Sequence, residues 1–165
     1  METKRTILSA DAAQKKLRRM ALEVVEQNYT SSELVLIGIR KSGSVIARRI
    51  SAYLQEAFKG SVTVLELTMD KKNPGVIRIE PLIDFNNKTI LLIDDVANSG
   101  RTMLYALKPL LEQHPARIQT LALVERTHKA FPVEMDYVGL SVSTTTDEHI
   151  YVEVDGEEVL GAWMD

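Results

Sequence analysis

Cysteine is absent from this chain of 165 residues. That single absence removes Cys-ligated zinc, iron–sulfur clusters, thiol catalysis and a secreted disulfide scaffold together. No apolar run approaches the ~18 residues that a bilayer span requires. The start, Met1-Glu-Thr-Lys-Arg5, leads into an amphipathic stretch without the apolar block of a signal peptide, so a cytoplasmic protein with no membrane partner is expected. Positive charge is not in excess either: 20 Lys and Arg stand against 23 Asp and Glu, a net charge of −3, which argues against a protein whose main task is coating nucleic acid. Internal repeats and low-complexity tracts are missing. His114, His128 and His149 are too scattered for a metal triad, and no direct protein ligation of a metal is expected.

What remains is an ordinary globular composition with 45% apolar residues. At this length a folded chain buries roughly 70% of its unfolded surface, enough for one domain over residues 1–165 without disulfide or structural metal. Leu17, Met20, Ala21, Val24 and Val25 recur at helical spacing and predict a helix from about Ser9 to Asn28. Leu34 to Ile39 is a continuous apolar run of strand length, as expected of a strand covered on both faces. Ile46, Ile50, Tyr53, Leu54 and Ala57 mark a second helix, and Val62 to Leu67 a second strand. Thr89 to Ile93 then reads as strand, Met103 to Leu111 as a helix with Leu104, Leu107 and Leu111 on one side, and Ile118 to Val124 as strand. This alternation predicts an α/β fold, an open, mainly parallel sheet flanked by helices.

Two stretches depart from it. Residues 68–88 form a polar, lid-like connection of about 20 residues where most run to 4–6, and within it Val76 to Ile79 has the pattern of a short hairpin strand. Near the C-terminus, Tyr151 to Leu160 alternates at period two around Asp155-Gly156, which predicts an antiparallel hairpin over about 150–163, a small C-terminal hood.

The chemistry concentrates in Ile90-Leu-Leu-Ile-Asp94-Asp95-Val-Ala97-Asn98-Ser99-Gly100-Arg101-Thr102, an apolar strand ending in adjacent carboxylates, then a Gly/Ser loop that opens a helix. Ligands of open α/β sheets bind at the carboxyl ends of strands. Free N–H groups at the helix start, with the Ser99 and Thr102 hydroxyls, suit a phosphate. The carboxylates would repel that phosphate, so their natural partners are sugar hydroxyls or Mg²⁺. The alternative is a strand-terminal Asp capping a helix, with Ser99 and Thr102 as ordinary cap residues. Gly38-Ile-Arg-Lys-Ser-Gly43 follows another apolar strand and imitates a P-loop, but Ser44-Val45 stands where that motif needs Lys-Ser/Thr. Arg40 and Lys41 still suit a second anionic group such as pyrophosphate.

Together these segments resemble the type I phosphoribosyltransferase family. Ile90 to Thr102 is similar to its motif for phosphoribosyl pyrophosphate (PRPP), and Gly38 to Gly43 to its pyrophosphate loop. The similarity is greatest to the PyrR-like branch, pyrimidine-operon attenuators with uracil phosphoribosyltransferase activity. It extends through Leu123-Val-Glu-Arg-Thr-His-Lys129 and Asp136-Tyr-Val-Gly139.

The resemblance implies transfer of phosphoribose from PRPP to a base, uracil by the branch, giving a nucleoside monophosphate. Asp94 and Asp95 would serve the ribose as catalytic residues, and Ala97, Asn98, Ser99, Gly100, Arg101 and Thr102 would cradle the 5′-phosphate. Arg40, Lys41, Ser42, Gly43 and Arg126 would meet the pyrophosphate, with a cis peptide expected between Lys41 and Ser42. His149, Ile150, Tyr151 and Val152 would border the base, and Asp70, Lys71 and Lys72 would belong to the lid. Mg²⁺ would be bound mainly through the pyrophosphate, and the chain would form a homodimer or higher homo-oligomer. The alternative is a non-catalytic sensor of nucleotide or PRPP that regulates pyrimidine genes through RNA.

The sequence departs from the branch in two places. Where the branch has an aromatic followed by Arg-Asp-Asp, this chain reads Leu67-Thr-Met-Asp-Lys-Lys72. Positions that would carry basic residues facing RNA are Leu22, Glu134 and Leu140. Sequence-specific RNA is therefore not an expected partner.

Overall fold

A computed structural model describes residues 3–70 and 72–165. The chain opens with strand β1 (Arg5–Ser9), and Ser9 doubles as the N-cap of helix α1 (Ala10–Gln27), its hydroxyl accepting from Ala12 N at 3.2 Å. The predicted stripe is the buried one: Leu17, Met20, Ala21 and Val24 are sealed in the core and Val25 packs at its margin. Strand β2 (Glu33–Ile39), helix α2 (Ser42–Ala57) and strand β3 (Ser61–Met69) follow as the alternation predicts. Ile46, Ile50 and Leu54 anchor α2, whereas Ala57, at its last turn, is exposed.

The large sheet has six strands in the order β4-β3-β2-β5-β6-β7, with β4 (Ile77–Glu80), β5 (Thr89–Ala97), β6 (Arg117–Arg126) and β7 (Tyr137–Val142). Every neighbouring pair is parallel except the β3–β4 hairpin at one edge. One face is covered by α1 and α2. The other is covered by helix α3 (Arg101–Leu111), together with Phe85 and Met135 from loops. Strands β8 (Ile150–Asp155) and β9 (Glu158–Met164) join β1 in a separate antiparallel sheet ordered β1-β9-β8. Leu8, Ile150, Val159, Ala162 and Met164 of this hood share a core cluster with α1 and α2, which fixes it against the large sheet.

Several boundaries differ from expectation, each for a local reason. Strand β5 does not end at its carboxylates: Val96 and Ala97 stay in register with Val124 and Glu125 of β6, so the ladder continues past Asp95. Helix α3 buries Met103, Ala106 and Leu110, while Leu111 is 66% exposed. The predicted leucine side carries only partial burial, because an apolar residue was available on either phase and packing selected the narrower one. Strand β1 escaped notice because only Leu8 of its five residues is buried. The hood turn is Gly156-Glu157, one residue later than expected, since Asp155 is already paired with Glu158.

Among the described residues, the connection expected to be a loop over 68–88 is irregular only on either side of β4, at Asp70, 72–76 and 81–88. The second part is fastened down. Phe85 is buried, its N–H donates to Gln113 Oε1 at 2.7 Å, and Asn86 Oδ1 accepts from His114 N at 2.8 Å. No helix among the described residues is long and apolar enough to cross a membrane.

Candidate active site

Strands β2 and β5 are parallel neighbours, yet the chain leaves β2 toward β3 on one side and leaves β5 toward β6 on the other. Their carboxyl ends therefore flank the point where the winding reverses, the place where open α/β sheets bind ligands. Both motif loops emerge here. The segment Gly38 to Gly43 spans the end of β2, the two-residue link Arg40-Lys41 and the start of α2, and Asn98 to Gly100 links β5 to α3.

Asp94 is buried at 3% exposure, and its Oδ1 accepts from Asp95 N at 2.9 Å. Asp95 is half-buried, with Oδ1 accepting from Val96 N at 2.8 Å. Each carboxylate is thus oriented by the next backbone N–H, a local bond that short acidic side chains make readily. Gly43 lies against this pair: a Cβ there would stand 2.9 Å from Ile93 O and 3.2 Å from Asp94 Cα. The start of α2 is thus packed closely on β5 at this point.

Beyond Asp95 the side chains diverge. Ala97 turns into the core under α3, and Asn98 and Ser99 face a cleft. Gly100 is the N-cap of α3 with φ 85°, and offers no side chain to the free N–H groups of the first turn. Ser99 Oγ accepts from Arg101 N at 3.3 Å, and Ser99 O accepts from the N–H groups of Ala130 and Phe131 at 3.0 Å, which ties this loop to the segment after β6. Arg101 is exposed, with its guanidinium 5.6 Å from the centre of the Tyr105 ring. Thr102 is half-buried in the first turn.

Two clefts open at this end of the sheet, one on either side of β5. The first, about 720 Å³, is lined by Asn98 and Ser99, by Arg126 and His128 to Ala130, and by the hood-side stretch Thr144 to Thr146 with His149, Ile150 and Tyr151. Val152, expected at this border, does not line this cleft and packs against the core cluster that includes Ile150. The second, about 700 Å³, is lined by Arg40, Lys41, Thr68, Met69, Asp70, Val76 and Arg78. Asp94 and Asp95 lie between the clefts in the strand order and line neither.

Arg126 does not join Arg40 to Gly43, contrary to expectation. It ends β6, on the far side of β5 from β2, and so faces the first cleft. One of its terminal nitrogens donates to Glu148 O, while its Nε and the Thr144 Oγ1 are buried without a protein partner among the described residues. Unpaired buried polar atoms are costly, and two of them on one cleft wall suit a ligand with polar edges. Beneath them Glu125 and Lys129 form a largely buried ion pair, and Glu125 Oε2 also accepts from Ser141 Oγ at 3.2 Å. Glu148 Oε2 accepts from Thr145 N and Thr145 Oγ1 at 2.7 and 3.1 Å, bonds that hold its carboxyl below the usual carboxylate value.

In the second cleft Arg40 is bound to Glu66 at 2.9 Å, and Arg40 N donates to Leu67 O. The cis peptide lies between Arg40 and Lys41, one bond earlier than expected, since Ser42 already begins α2. Ser42 is half-buried and Gly43 buried, and neither lines this cleft. Asp70 lines the cleft and accepts from Lys72 N at 2.9 Å, while the Lys72 side chain is exposed outside the lining. Lys71 lies outside the described residues. Thr68, Arg78 and Thr144 to Thr146 were not singled out from the sequence. The period-two pattern of β4 against β3 was the available signal for the first two.

Comparison with known proteins agrees with this arrangement. The family description "Phosphoribosyl transferase domain" matches residues 4–157. The chain is 36% identical to the Bifunctional protein PyrR of Roseiflexus sp. (strain RS-1), over 91% of this chain and 89% of that protein. It is 35% identical to the Bifunctional protein PyrR of Clostridium novyi (strain NT), over 97% of each. Among solved structures, the hypoxanthine phosphoribosyltransferase of Trypanosoma cruzi superposes with a TM-score of 0.77 at 14% identity, covering 95% of this chain and 96% of that one. A hypoxanthine-guanine phosphoribosyltransferase of Bacillus anthracis gives 0.72 at 22% identity, covering 91% and 87%. At these identities the structural matches speak to the fold.

Proposed function

The chain belongs to the type I phosphoribosyltransferase family, in its PyrR-like branch, and on that premise we propose that it transfers the phosphoribosyl group of PRPP to a ring nitrogen of uracil. The observation that supports this reading is the close packing of Gly43, at the start of α2, on Ile93 and Asp94 of β5, where the winding of the sheet reverses.

In this reading Asp94 and Asp95 accept hydrogen bonds from the ribose hydroxyls, each oriented beforehand by a backbone N–H. The loop from Ala97 to Thr102 holds the 5′-phosphate through hydroxyls and the free N–H groups of α3. Arg40, Lys41, Ser42 and Gly43 hold the diphosphate. The bond from ribose C1 to the diphosphate oxygen breaks with its electron pair on the oxygen, the base nitrogen bonds C1, and the nitrogen proton leaves to solvent. No protein nucleophile is needed; positioning, charge neutralisation and exclusion of water suffice. The base lies in the first cleft, beside His149 to Tyr151, with Thr144 and Arg126 available to its polar edge. The oxygen-only pair Asp94 and Asp95 fits a hard cation shared with the substrate, and Mg²⁺ would supply neutralisation of the leaving diphosphate.

A second reading, a nucleotide or PRPP sensor without turnover, is favoured by the stretch Leu67 to Lys72, which has no aromatic and no Arg where the branch has an aromatic followed by Arg-Asp-Asp. Steady-state assays of pyrophosphate release with uracil, hypoxanthine, guanine and xanthine separate the two. Turnover with uracil above the purines is expected. A purine preference corrects the acceptor, and silence with all four bases despite PRPP binding leaves the sensor.

A further inference from the structure

We infer that Arg78, on the edge strand β4, is a ligand for the diphosphate, set by the β3–β4 pairing in the cleft of Arg40 and Lys41. Thr68 and Arg78 are directly paired across the β3–β4 hairpin, between the pairs Leu67 with Ile79 and Met69 with Ile77. Leu67 and Ile79 are buried, and Met69 and Ile77 pack against the same core cluster. Alternation therefore turns Thr68 and Arg78 to the other face of the hairpin, where both line the cleft beside Arg40 and Lys41.

The charges of that cleft are unbalanced. Arg40, Lys41 and Arg78 meet a single acid in the lining, Asp70. Arg40 is held by Glu66, but no described side chain pairs with Arg78, which is exposed. Helix α2 also begins beside this cleft with no side-chain cap, so its first N–H groups are free. A guanidinium on a paired strand, sharing its cleft with two further cations, is suited to a multiply charged oxyanion that it can grip bidentately. The diphosphate is named here on the strength of the transferase reading; the anion site itself rests on the geometry.

The test is isothermal titration of the full chain with inorganic pyrophosphate plus Mg²⁺, and separately with uridine monophosphate and PRPP, for wild type, Arg78→Gln and Arg78→Lys. Expected is a loss of about 10- to 100-fold in pyrophosphate and PRPP affinity for Arg78→Gln, the usual scale for a charge-assisted contact. Uridine monophosphate, which carries no diphosphate, should bind within about twofold of wild type, and Arg78→Lys should recover part of the loss. Pyrophosphate affinity unchanged in Arg78→Gln, an equal loss for all ligands, or no pyrophosphate affinity in wild type would each overturn the assignment. Arg78-dependent pyrophosphate binding without affinity for PRPP or uridine monophosphate would uphold the anion site and sink the transferase reading instead.

Discussion

Gly43 and Asp94 touch through a gap that admits a hydrogen but not a methyl: a Cβ at residue 43 would meet Ile93 O at 2.9 Å and Asp94 Oδ1 at 3.4 Å. Gly43→Ala should push the start of α2 away from β5, destabilising the fold by about 1–3 kcal/mol as overpacked sites do. PRPP affinity should fall by more than the loss of fold alone explains. Thermal melts with and without PRPP measure both; an unchanged ligand-induced shift would mean that the start of α2 and β5 are not coupled.

Asp94→Asn and Asp95→Asn each keep an oxygen that can accept the backbone N–H now bound at 2.9 and 2.8 Å, so the fold should survive. The charge-assisted bonds to ribose hydroxyls would be lost, at about 2–4 kcal/mol in PRPP binding. Titration of both variants decides it. Wild-type affinity in both would remove the sugar from this site.

Thr102→Val preserves shape and deletes a hydroxyl in the first turn of α3. Affinity for uridine monophosphate should drop about tenfold, while the free nucleoside, which lacks the phosphate, changes little. Parallel losses for both ligands would point to general damage in the loop.

Hydrogen exchange should divide the stretch once read as a single lid. Residues 81–88 are pinned by buried Phe85 and by the Asn86–His114 bond, and should be protected without ligand. Amides in 72–76, beside the second cleft, should gain protection only with Mg²⁺-pyrophosphate or PRPP. Ligand-independent exchange in both parts would leave the segment a passive surface loop.

Specific RNA binding is not expected. Leu22, Glu134 and Leu140 put apolar or acidic side chains where a phosphate contact needs a cation, and the chain carries a net charge of −3. A filter-binding titration against a pyrimidine-gene leader should give only non-specific affinity, on the order of 10⁻⁴ to 10⁻⁶ M at physiological salt. Nanomolar binding strengthened by uridine monophosphate would reverse this and make regulation the main activity.

The parallel strands were legible because continuous apolar runs such as Leu34 to Ile39 have one simple explanation, burial on both faces. The segment from Asp94 to Thr102 stood out because it joins an apolar strand to an amphipathic helix, although β5 runs on through Ala97 and so holds both carboxylates inside the strand. What escaped depends on partners distant in sequence. Strand β1 exists by virtue of its pairing with β9, and five residues with one buried side chain carry little pattern of their own. The placement of Arg126 followed from strand order, which local periodicity does not encode. Arg78 lay inside a stretch correctly read as a hairpin strand, but its cleft came into view only when the register set it opposite Thr68.

The position of β5 between the two clefts bears on the order of events. On the proposed reading, the leaving diphosphate departs on the Arg40 side and the nucleotide on the hood side, with the acid pair as the watershed between them. Neither product has to pass the other on its way out. An analogue ending at the ribose on one side would thus leave the opposite exit open, and only a molecule charged at both ends would close the site from both directions.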